Sequence, residues 1–271
     1  LVYYDVHMQS CDINLAKGRE MLIITHCQEG RIEFEYKNGE YLYLASGDLS
    51  IQKNTENIRH RYCPLSHYHG VSVAIDMNRV PRCFSCILDD VFVSPEELEM
   101  KFCSEKPYSI MRGNISIEHI FSELYSVPEN IRKGYHKVKV LELLLFLSGL
   151  EYKGESEERR YFSRSQVTAA KEAKKYLLAH LDEHITITEL ADMLGISSTS
   201  LKICFKGVYG NTINGYITNC KMQKAASLLK NTDKSVLEIA GIVGYNNGSK
   251  FACAFRRVMN KSPNEYRKSL V

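Results

Sequence analysis

The sequence contains no tryptophan, and its six prolines leave residues 129–262 without any. The second half of the chain can therefore form helices without interruption. No apolar run approaches the roughly 18 residues that a membrane span needs, and residues 1–10 lack the basic start and apolar stretch of a secretory signal. We expect a soluble, cytoplasmic protein that does not enter a membrane.

The cysteines do not form a short framework. There are nine, an odd number, and their scatter along the chain is typical of a reducing cytoplasm. Cys83 and Cys86 form a single C-x-x-C pair, and no second pair completes a four-thiolate zinc site. We predict that the cysteines are structural thiols, and that the protein uses no metal and no cofactor.

Charge divides the chain into two parts. Residues 163–271 carry 16 Lys and Arg against 8 Asp and Glu, whereas residues 1–162 carry 19 against 24. This imbalance indicates a polyanionic partner for the second part alone. Residues 154–160 are polar and highly charged, as in a linker. We predict a first domain at residues 1–152, a linker at 153–163 and a second domain at 164–271.

Alternation of apolar and polar residues predicts strands in the first domain. Ile32, Phe34 and Tyr36 alternate with charged residues, and similar short runs follow at 41–44, from 49, at 58–62 and at 71–75. Turn residues at 37–40 and 46–48 separate them. An antiparallel barrel or sandwich is therefore expected. In a closed barrel, Tyr36 would share the interior with His60 and Tyr62, a lining that suits a small-molecule effector.

Helical spacing replaces this alternation from Ile115 onward. Residues 80–109 carry a weaker pattern, which we interpret as loops and short helices. The helix predicted from Lys137 to Leu150 has an unusually wide apolar stripe. Such a helix is either enclosed by its own domain or shared with a second subunit, so we expect a homodimer.

A repeat marks the last 85 residues. Glu189–Gly195 is echoed 49 positions later by Glu238–Gly244, and from Leu201 the match continues at an offset of 50. Two copies of one unit, each a helix, a tight turn and a second helix, explain this pattern. Each copy has a small residue where its helices cross, a glycine that leaves the first helix in a left-handed conformation, and a cap for the second helix. These residues are Ala191, Gly195 and Ser197 in one copy and Ala240, Gly244 and Asn246 in the other.

This pattern predicts two helix-turn-helix units, in which the second helix enters the major groove of DNA. A helix from Asn211 to Leu229 separates the copies and would span roughly 27 Å. That length can carry two recognition helices toward successive major grooves, because one turn of DNA is about 34 Å. We therefore expect double-stranded DNA as the partner of an all-α second domain.

These residues resemble the AraC family of bacterial transcription regulators. Residues 242–251 are similar to the family signature, residues 255–267 continue it, and a helix from Ala169 to His184 precedes the repeat. Residues 41–49 resemble the family's cupin-like effector or dimerisation domain. The resemblance implies an α+β protein, with an N-terminal cupin-like antiparallel β-barrel followed by helices and a C-terminal domain of two helix-turn-helix units. It also implies an activator that binds promoter DNA and contacts RNA polymerase.

The resemblance implies positions for the DNA-reading side chains. Ile203 and Cys253 stand where the family often has Arg, so a two-pronged guanine contact is missing and specificity should depend on A·T pairs and DNA shape. The base-reading positions are Thr199, Lys202, Ile203, Gly248, Ser249 and Cys253. Further candidates for bases or phosphates are Ser198, Ser200, Asn246 and Asn247. The phosphate-contact candidates are Lys202, Lys206, Lys250, Arg256 and Arg257.

Two enzymatic functions are alternatives to a regulator without enzymatic activity. A metal-dependent cupin enzyme would use the H-x-H formed by His67 and His69, but residues 72–74 offer no carboxylate where one should follow. This favours histidines on a loop without a ligand role. A cysteine-based DNA-repair methyl acceptor, fused to a DNA-binding domain, would use Cys63 with Cys83 and Cys86, but the strand pattern over residues 30–76 argues against it.

Overall fold

The computed structural model describes residues 1–10, 19–53, 58–80, 93–152 and 162–269. The chain divides into two compact units, Leu1–Phe162 and Ser163–Val271. The linker expected at residues 153–163 lies mostly outside the described residues, since 153–161 fall in a gap. An antiparallel sheet builds the first unit and helices build the second, so the fold class is α+β.

The first unit has seven strands within its described residues. They are β1 Val2–Val6, β2 Met21–Tyr36, β3 Tyr41–Ala45, β4 Leu49–Lys53, β5 Ile58–Tyr62, β6 Tyr68–Asp76 and β7 Tyr108–Met111. The sheet order is β1-β6-β2-β4-β7, and β3 and β5 also pair with β2. The strands expected from alternation within residues 31–75 are confirmed.

The long strand β2 takes part in both halves of this sheet. Its first half pairs with β4 and β6, and its second half pairs with β3 and β5. A register shift between Cys27 and Glu29 and a φ of +84° at Gly30 turn the strand between the two halves. A β-carbon at Gly30 would lie 2.4 Å from the carbonyl oxygen of His67, so only glycine fits this corner.

Two apolar clusters lie on opposite faces of the sheet, because successive side chains of a strand alternate. On β6, Val71, Val73 and Ile75 belong to the cluster that the helices cover, whereas Tyr68 belongs to the other cluster. That second cluster also contains Phe34 and Tyr36 of β2. The apolar alternation in the sequence therefore corresponds to real burial.

Three α-helices cover the first cluster: α1 Pro95–Cys103, α2 Ile115–Ser122 and α3 Arg132–Gly149. A 3-10 turn, Glu123–Ser126, follows α2. Helix α3 begins before the expected Lys137, and Val138 of its predicted apolar stripe is 62% exposed. Lys139 is buried instead. Its Nζ lies 2.9 Å from Glu123 Oε2 and 2.8 Å from Glu142 Oε2. These ion pairs allow a charged side chain to occupy a buried position.

Residues 80–109 were expected to hold loops and short helices. Helix α1 agrees with this expectation, but β7 begins within the region at Tyr108 and pairs with β4 as an edge strand. A four-residue strand is too short to give a periodic signal. Residues 81–92, with Cys83 and Cys86, lie outside the described residues.

The second unit contains seven helices among its described residues: α4 Arg164–Ala179, α5 Ile187–Met193, α6 Ser198–Tyr209, α7 Ile213–Asn231, α8 Val236–Ile242, α9 Gly248–Met259 and α10 Pro263–Lys268. Helix α4 begins before the expected Ala169, because Ser163 and Gln166 form a reciprocal capping box. It ends at Ala179 rather than His184, since His180 leaves helical geometry. No helix in the described part of the chain is both long and apolar enough to cross a membrane.

Candidate nucleic-acid interface

The two helix pairs α5/α6 and α8/α9 have the same construction. Helix α8 begins 49 residues after α5, and α9 begins 50 residues after α6. Thr186 and Ser235 cap the first helix of each pair, and Glu189 and Glu238 complete the two capping boxes. Hydrogen bonds from these caps hold the pKa of both carboxyl groups below the usual value. The repeat in the sequence is thus a repeat in backbone structure.

The turn inside each pair is closed by equivalent backbone hydrogen bonds. The N–H of Ile196 donates to the carbonyl oxygen of Ala191 at 3.1 Å, and the N–H of Tyr245 donates to that of Ala240 at 2.8 Å. The glycine before each donor has a positive φ, +66° at Gly195 and +76° at Gly244. The expected left-handed exit from the first helix is confirmed in both copies.

The cap of the second helix requires one correction. Ser197 caps α6 as expected, since the N–H of Ser200 donates to its Oγ at 3.1 Å. In the second copy Asn247, rather than Asn246, caps α9, and the N–H of Lys250 donates to its Oδ1 at 2.9 Å. Asn246 is therefore the inserted residue that changes the offset from 49 to 50.

The buried faces of α6 and α9 anchor them in the second unit. Leu201 and Phe205 of α6 are fully buried, and so are Phe251 and Phe255 of α9, as the repeat predicted. Ala191 and Ala240 are also fully buried within their helix pairs. Because these faces are held in the protein core, the opposite faces of α6 and α9 point to solvent.

The candidate DNA-contacting residues all lie in the turns and on the outer faces of α6 and α9, and none is buried. Half-buried are Ser198, Ser200, Ile203 and Gly248. Exposed are Thr199, Lys202, Lys206, Asn246, Asn247, Ser249, Lys250, Cys253, Arg256 and Arg257. The residues predicted from the sequence thus lie on two helices and in the turn before α9.

These two helices contain positive charge and no carboxylate. Helix α6 carries Lys202 and Lys206, and α9 carries Lys250, Arg256 and Arg257, whereas neither contains Asp or Glu. The first helices of the pairs differ, because α5 and α8 both contain acidic residues. Positive potential is therefore concentrated on the second helix of each pair, where it would attract a polyanion.

Two of the candidate side chains already have structural partners. Asn247 Oδ1 accepts the capping hydrogen bond of α9, which leaves the second lone pair of that oxygen and the amide N–H groups for another contact. Ser200 Oγ accepts a hydrogen bond from Gln166 Nε2 at 3.3 Å, which ties α6 to α4. We therefore expect substitution of either residue to change the fold of the unit locally as well as any contact with DNA.

Two half-buried lysines that the sequence analysis did not select support the helix pairs. Lys174 Nζ lies 5.0 Å from the ring centroid of Tyr209, and Lys221 Nζ lies 5.8 Å from that of Tyr245. Burial lowers the pKa of both ammonium groups. Their spacing of 47 residues differs from the repeat offsets, so the repeat gave no signal for them.

The three effector candidates do not share one face of the sheet, contrary to expectation. Tyr36 is buried and stacks on Tyr108, with 4.6 Å between ring centroids. In the β2–β5 register, however, His60 lies opposite Glu35 and Tyr62 lies opposite Glu33. His60 and Tyr62 therefore belong to the face that alternates with Phe34 and Tyr36, and His60 is exposed.

The structure describes three of the residues considered for the enzymatic alternatives, whereas Cys83 and Cys86 lie outside the described residues. His69 is the second residue of strand β6, so the expectation that both histidines lie on a loop is wrong for it, whereas His67 precedes the strand. Cys63 is fully buried in the apolar cluster with Tyr68.

Comparisons with known proteins concentrate on the second unit. A family model described as a helix-turn-helix domain matches residues 190–269, which include both turns. The xylose operon regulatory protein of Escherichia coli K12 is 31% identical over 153 residues, covering 53% of this chain and 39% of that protein. A Streptomyces lividans protein, named as AraC-like transcription regulator, is 34% identical over 83 residues, covering 31% of this chain and 27% of that protein. This chain carries an AraC-type helix-turn-helix domain.

The AraC-type domain is also similar to a solved structure, the C-terminal domain of AraT, a response regulator from Geobacillus stearothermophilus. The identity is 32%, the match covers 37% of this chain and 84% of that chain, and the TM-score is 0.37. The chain spans about four-tenths or less of the length of the curated relatives described above.

Proposed function

We propose that this chain is a sequence-specific DNA-binding regulator of transcription that works by binding rather than by catalysis. The proposal rests on two helices, α6 and α9, at equivalent positions of the duplicated helix pair. Their outer faces are exposed to solvent, carry positive charge and contain no carboxylate. Each pair then serves as a helix-turn-helix unit, with α6 and α9 as the recognition helices.

The length of α7 supports simultaneous binding of DNA by both helix-turn-helix units. Its 19 residues span about 28 Å at 1.5 Å per residue. This length approaches the roughly 34 Å of one DNA turn, so α6 and α9 can reach neighbouring major grooves on one side of the duplex. Footprinting should therefore show protection across two successive turns.

We assign different tasks to the charged and the uncharged side chains of the interface. Lys202, Lys206, Lys250, Arg256 and Arg257 contact phosphates and set the strength of binding to any duplex. The shorter side chains read base edges, with Ile203 against a thymine methyl group and Thr199 and Ser249 forming hydrogen bonds. The sequence preference therefore favours A·T pairs.

The first experiment tests the phosphate contacts. A bound duplex is selected from random sequences, and its dissociation constant is measured from about 50 to 200 mM salt for the unaltered chain, Lys202→Ala and Arg256→Ala. Each substitution should reduce the slope of log K against log salt by about 0.9, through lost counterion release. Lys133→Ala, which removes an exposed lysine of the first unit, is the matched control and should leave the slope unchanged.

Two results would contradict these assignments. Unchanged slopes for both variants would remove Lys202 and Arg256 from the phosphate contacts. A footprint confined to one turn of DNA, or no footprint, would refute the regulator that reads two grooves.

A second experiment separates base reading from phosphate contact. Thr199→Ala should weaken binding to the selected duplex by about 1 kcal/mol or more, while binding to a scrambled duplex stays unchanged. Equal losses on both duplexes would assign Thr199 to the backbone contacts instead.

The first unit, by this proposal, is a cupin-like effector or dimerisation domain that controls how the DNA-binding domains are presented to promoter DNA and RNA polymerase. Helix α3 supports dimerisation, since Val138 is 62% exposed and Ile131, at its N-cap, is 50% exposed. Sedimentation equilibrium should show a dimer for the unaltered chain and a monomer for Val138→Glu. A monomer at all concentrations would contradict the dimer.

A further inference from the structure

Strand pairing brings two histidines and one aspartate together at the edge of the sheet in the first unit. In the β1–β6 register, Asp5 lies directly opposite His69. Side chains of paired residues project from the same face of the sheet, and His7, two residues after Asp5, follows the same alternation. The cluster lies away from the second apolar cluster, because the intervening residues Tyr4 and Val6 pack against that cluster.

Both imidazole rings converge on a single carboxylate oxygen. His7 Nε2 lies 2.8 Å from Asp5 Oδ1, and His69 Nε2 lies 3.4 Å from the same atom. The two rings are nearly perpendicular, with 5.2 Å between their centroids and 83° between their planes. A simple ion pair with Asp5 would need only one of these histidines. Two imidazole nitrogens beside one carboxylate oxygen instead form a set of three potential metal ligands.

We propose that Asp5, His7 and His69 form a binding site for a divalent transition-metal ion. Their donor atoms all lie within 4.8 Å of one another. In a tetrahedral zinc site, metal–ligand bonds of about 2.0–2.1 Å place the donor atoms about 3.4 Å apart. Rotation of the exposed side chains of Asp5 and His7 toward the half-buried His69 would close the site. Two imidazoles and a carboxylate favour zinc, nickel or cobalt over magnesium or calcium. The fourth position is open to water.

The surroundings of the site supply further donors of the same kind. Glu29 of β2 lies opposite His69 on the other side of β6, and His67 Nε2 is 3.8 Å from Glu29 Oε1. The rings of His67 and His69 are 6.4 Å apart between centroids. The carboxylate of Glu29 adds negative charge beside the site, which strengthens cation binding. This proposal differs from the sequence-based expectation that the protein uses no metal.

The metal would join the edge strand β1 to β6. Tyr3, on the same face of β1 as Asp5, donates a hydrogen bond from its hydroxyl to the carbonyl oxygen of Leu124 at 2.9 Å. The same hydroxyl lies 2.9 Å from Nε2 of His136 on α3. Occupancy therefore stabilises the strand that contacts α3, and amide hydrogen exchange in β1 should slow when metal is added.

The test is metal titration of the full chain, prepared without a polyhistidine tag. Co²⁺ is added while the visible absorption of the metal is recorded, and Zn²⁺ binding is measured by calorimetry. We expect one equivalent to bind without the near-ultraviolet charge-transfer band of a cobalt thiolate. His7→Ala, His69→Ala and Asp5→Asn should each weaken binding by at least about tenfold. His119→Ala, which removes an exposed histidine of α2, should bind as the unaltered chain does.

Three outcomes would overturn the proposal: no binding by the unaltered chain, equal binding by all variants, or a thiolate band. His7 is mostly exposed, with 68% of its side chain accessible, so His7→Ala should keep the fold, and circular dichroism checks this. Loss of metal binding in a folded His7→Ala chain cannot then be attributed to unfolding. DNA binding does not enter this test, so its result is separate from that of the regulator proposal.

Discussion

Acid should destabilise the first unit through His26, which lies buried in strand β2. Its ring stacks on Phe121, with 4.4 Å between centroids and 11° between planes, and Nδ1 is 3.4 Å from the hydroxyl of Tyr125. Nε2 has no hydrogen-bond partner among the described residues. Burial lowers the pKa of His26 to about 4, because a charged ring could not be solvated there.

The size of the effect follows from the two protonation equilibria. In the unfolded chain His26 has its ordinary pKa of 6.5, so below that pH the unfolded state takes up a proton that the folded state refuses. Stability therefore falls as the pH drops from 6.5 to about 4. The loss attributable to His26 is about 2 kcal/mol at pH 5 and approaches about 3 kcal/mol below pH 4.

The assay is urea unfolding of the full chain at about pH 7.5 and pH 5, compared with His26→Gln, which is neutral at both. The free energy of unfolding should change between the two pH values by about 2 kcal/mol less in the variant. His119→Gln, at an exposed position, serves as control and should keep the pH dependence of the unaltered chain. If His26→Gln kept the full pH dependence, the ring would not be held neutral by burial.

Three further predictions concern the elements that position the two units. Asn247→Ala should lower the free energy of unfolding by about 1 kcal/mol and speed amide hydrogen exchange in the first turn of α9 roughly fivefold, because it removes the helix cap. Asn246→Ala should change neither quantity. Gly30→Ala should lower the free energy of unfolding by about 1–3 kcal/mol more than Gly39→Ala does. Both glycines have a φ of +84°, but of the two only Gly30 would bring an added β-carbon into a clash with a neighbouring residue. Urea unfolding midpoints of the two variants test this difference. Leu147→Ala should lower the unfolding free energy by about 2–5 kcal/mol, because this fully buried leucine packs between α3 and the sheet. A loss below 1 kcal/mol would place Leu147 outside the core.

The candidate interface was largely predictable because its signals are local. Helix caps, left-handed glycines and apolar spacing each involve residues within a few positions of one another, and duplication presented the same signals twice. The error at the cap of α9, Asn246 in place of Asn247, arose because the offset changes inside the turn. That these exposed residues contact the bases and phosphates of DNA remains a prediction.

The sheet was less predictable because its partners are distant in the chain. Alternation reveals that a strand has two faces, but the pairing register decides which faces coincide. For this reason His60 and Tyr62 were assigned to the wrong side of β2. Burial of Lys139 likewise depends on Glu123, which precedes it on a separate element.

By itself, the amino-acid sequence determined that this protein has a β-rich first part, a helical second part and a duplicated helix pair with a basic outer helix. Tertiary structure alone decided that Asp5 and His7 meet His69, that Gly30 turns β2 between two sheet halves, and that His26 is buried against Phe121. The physical reason is range: helix signals lie within one or two turns of the chain, whereas a sheet joins residues more than sixty positions apart.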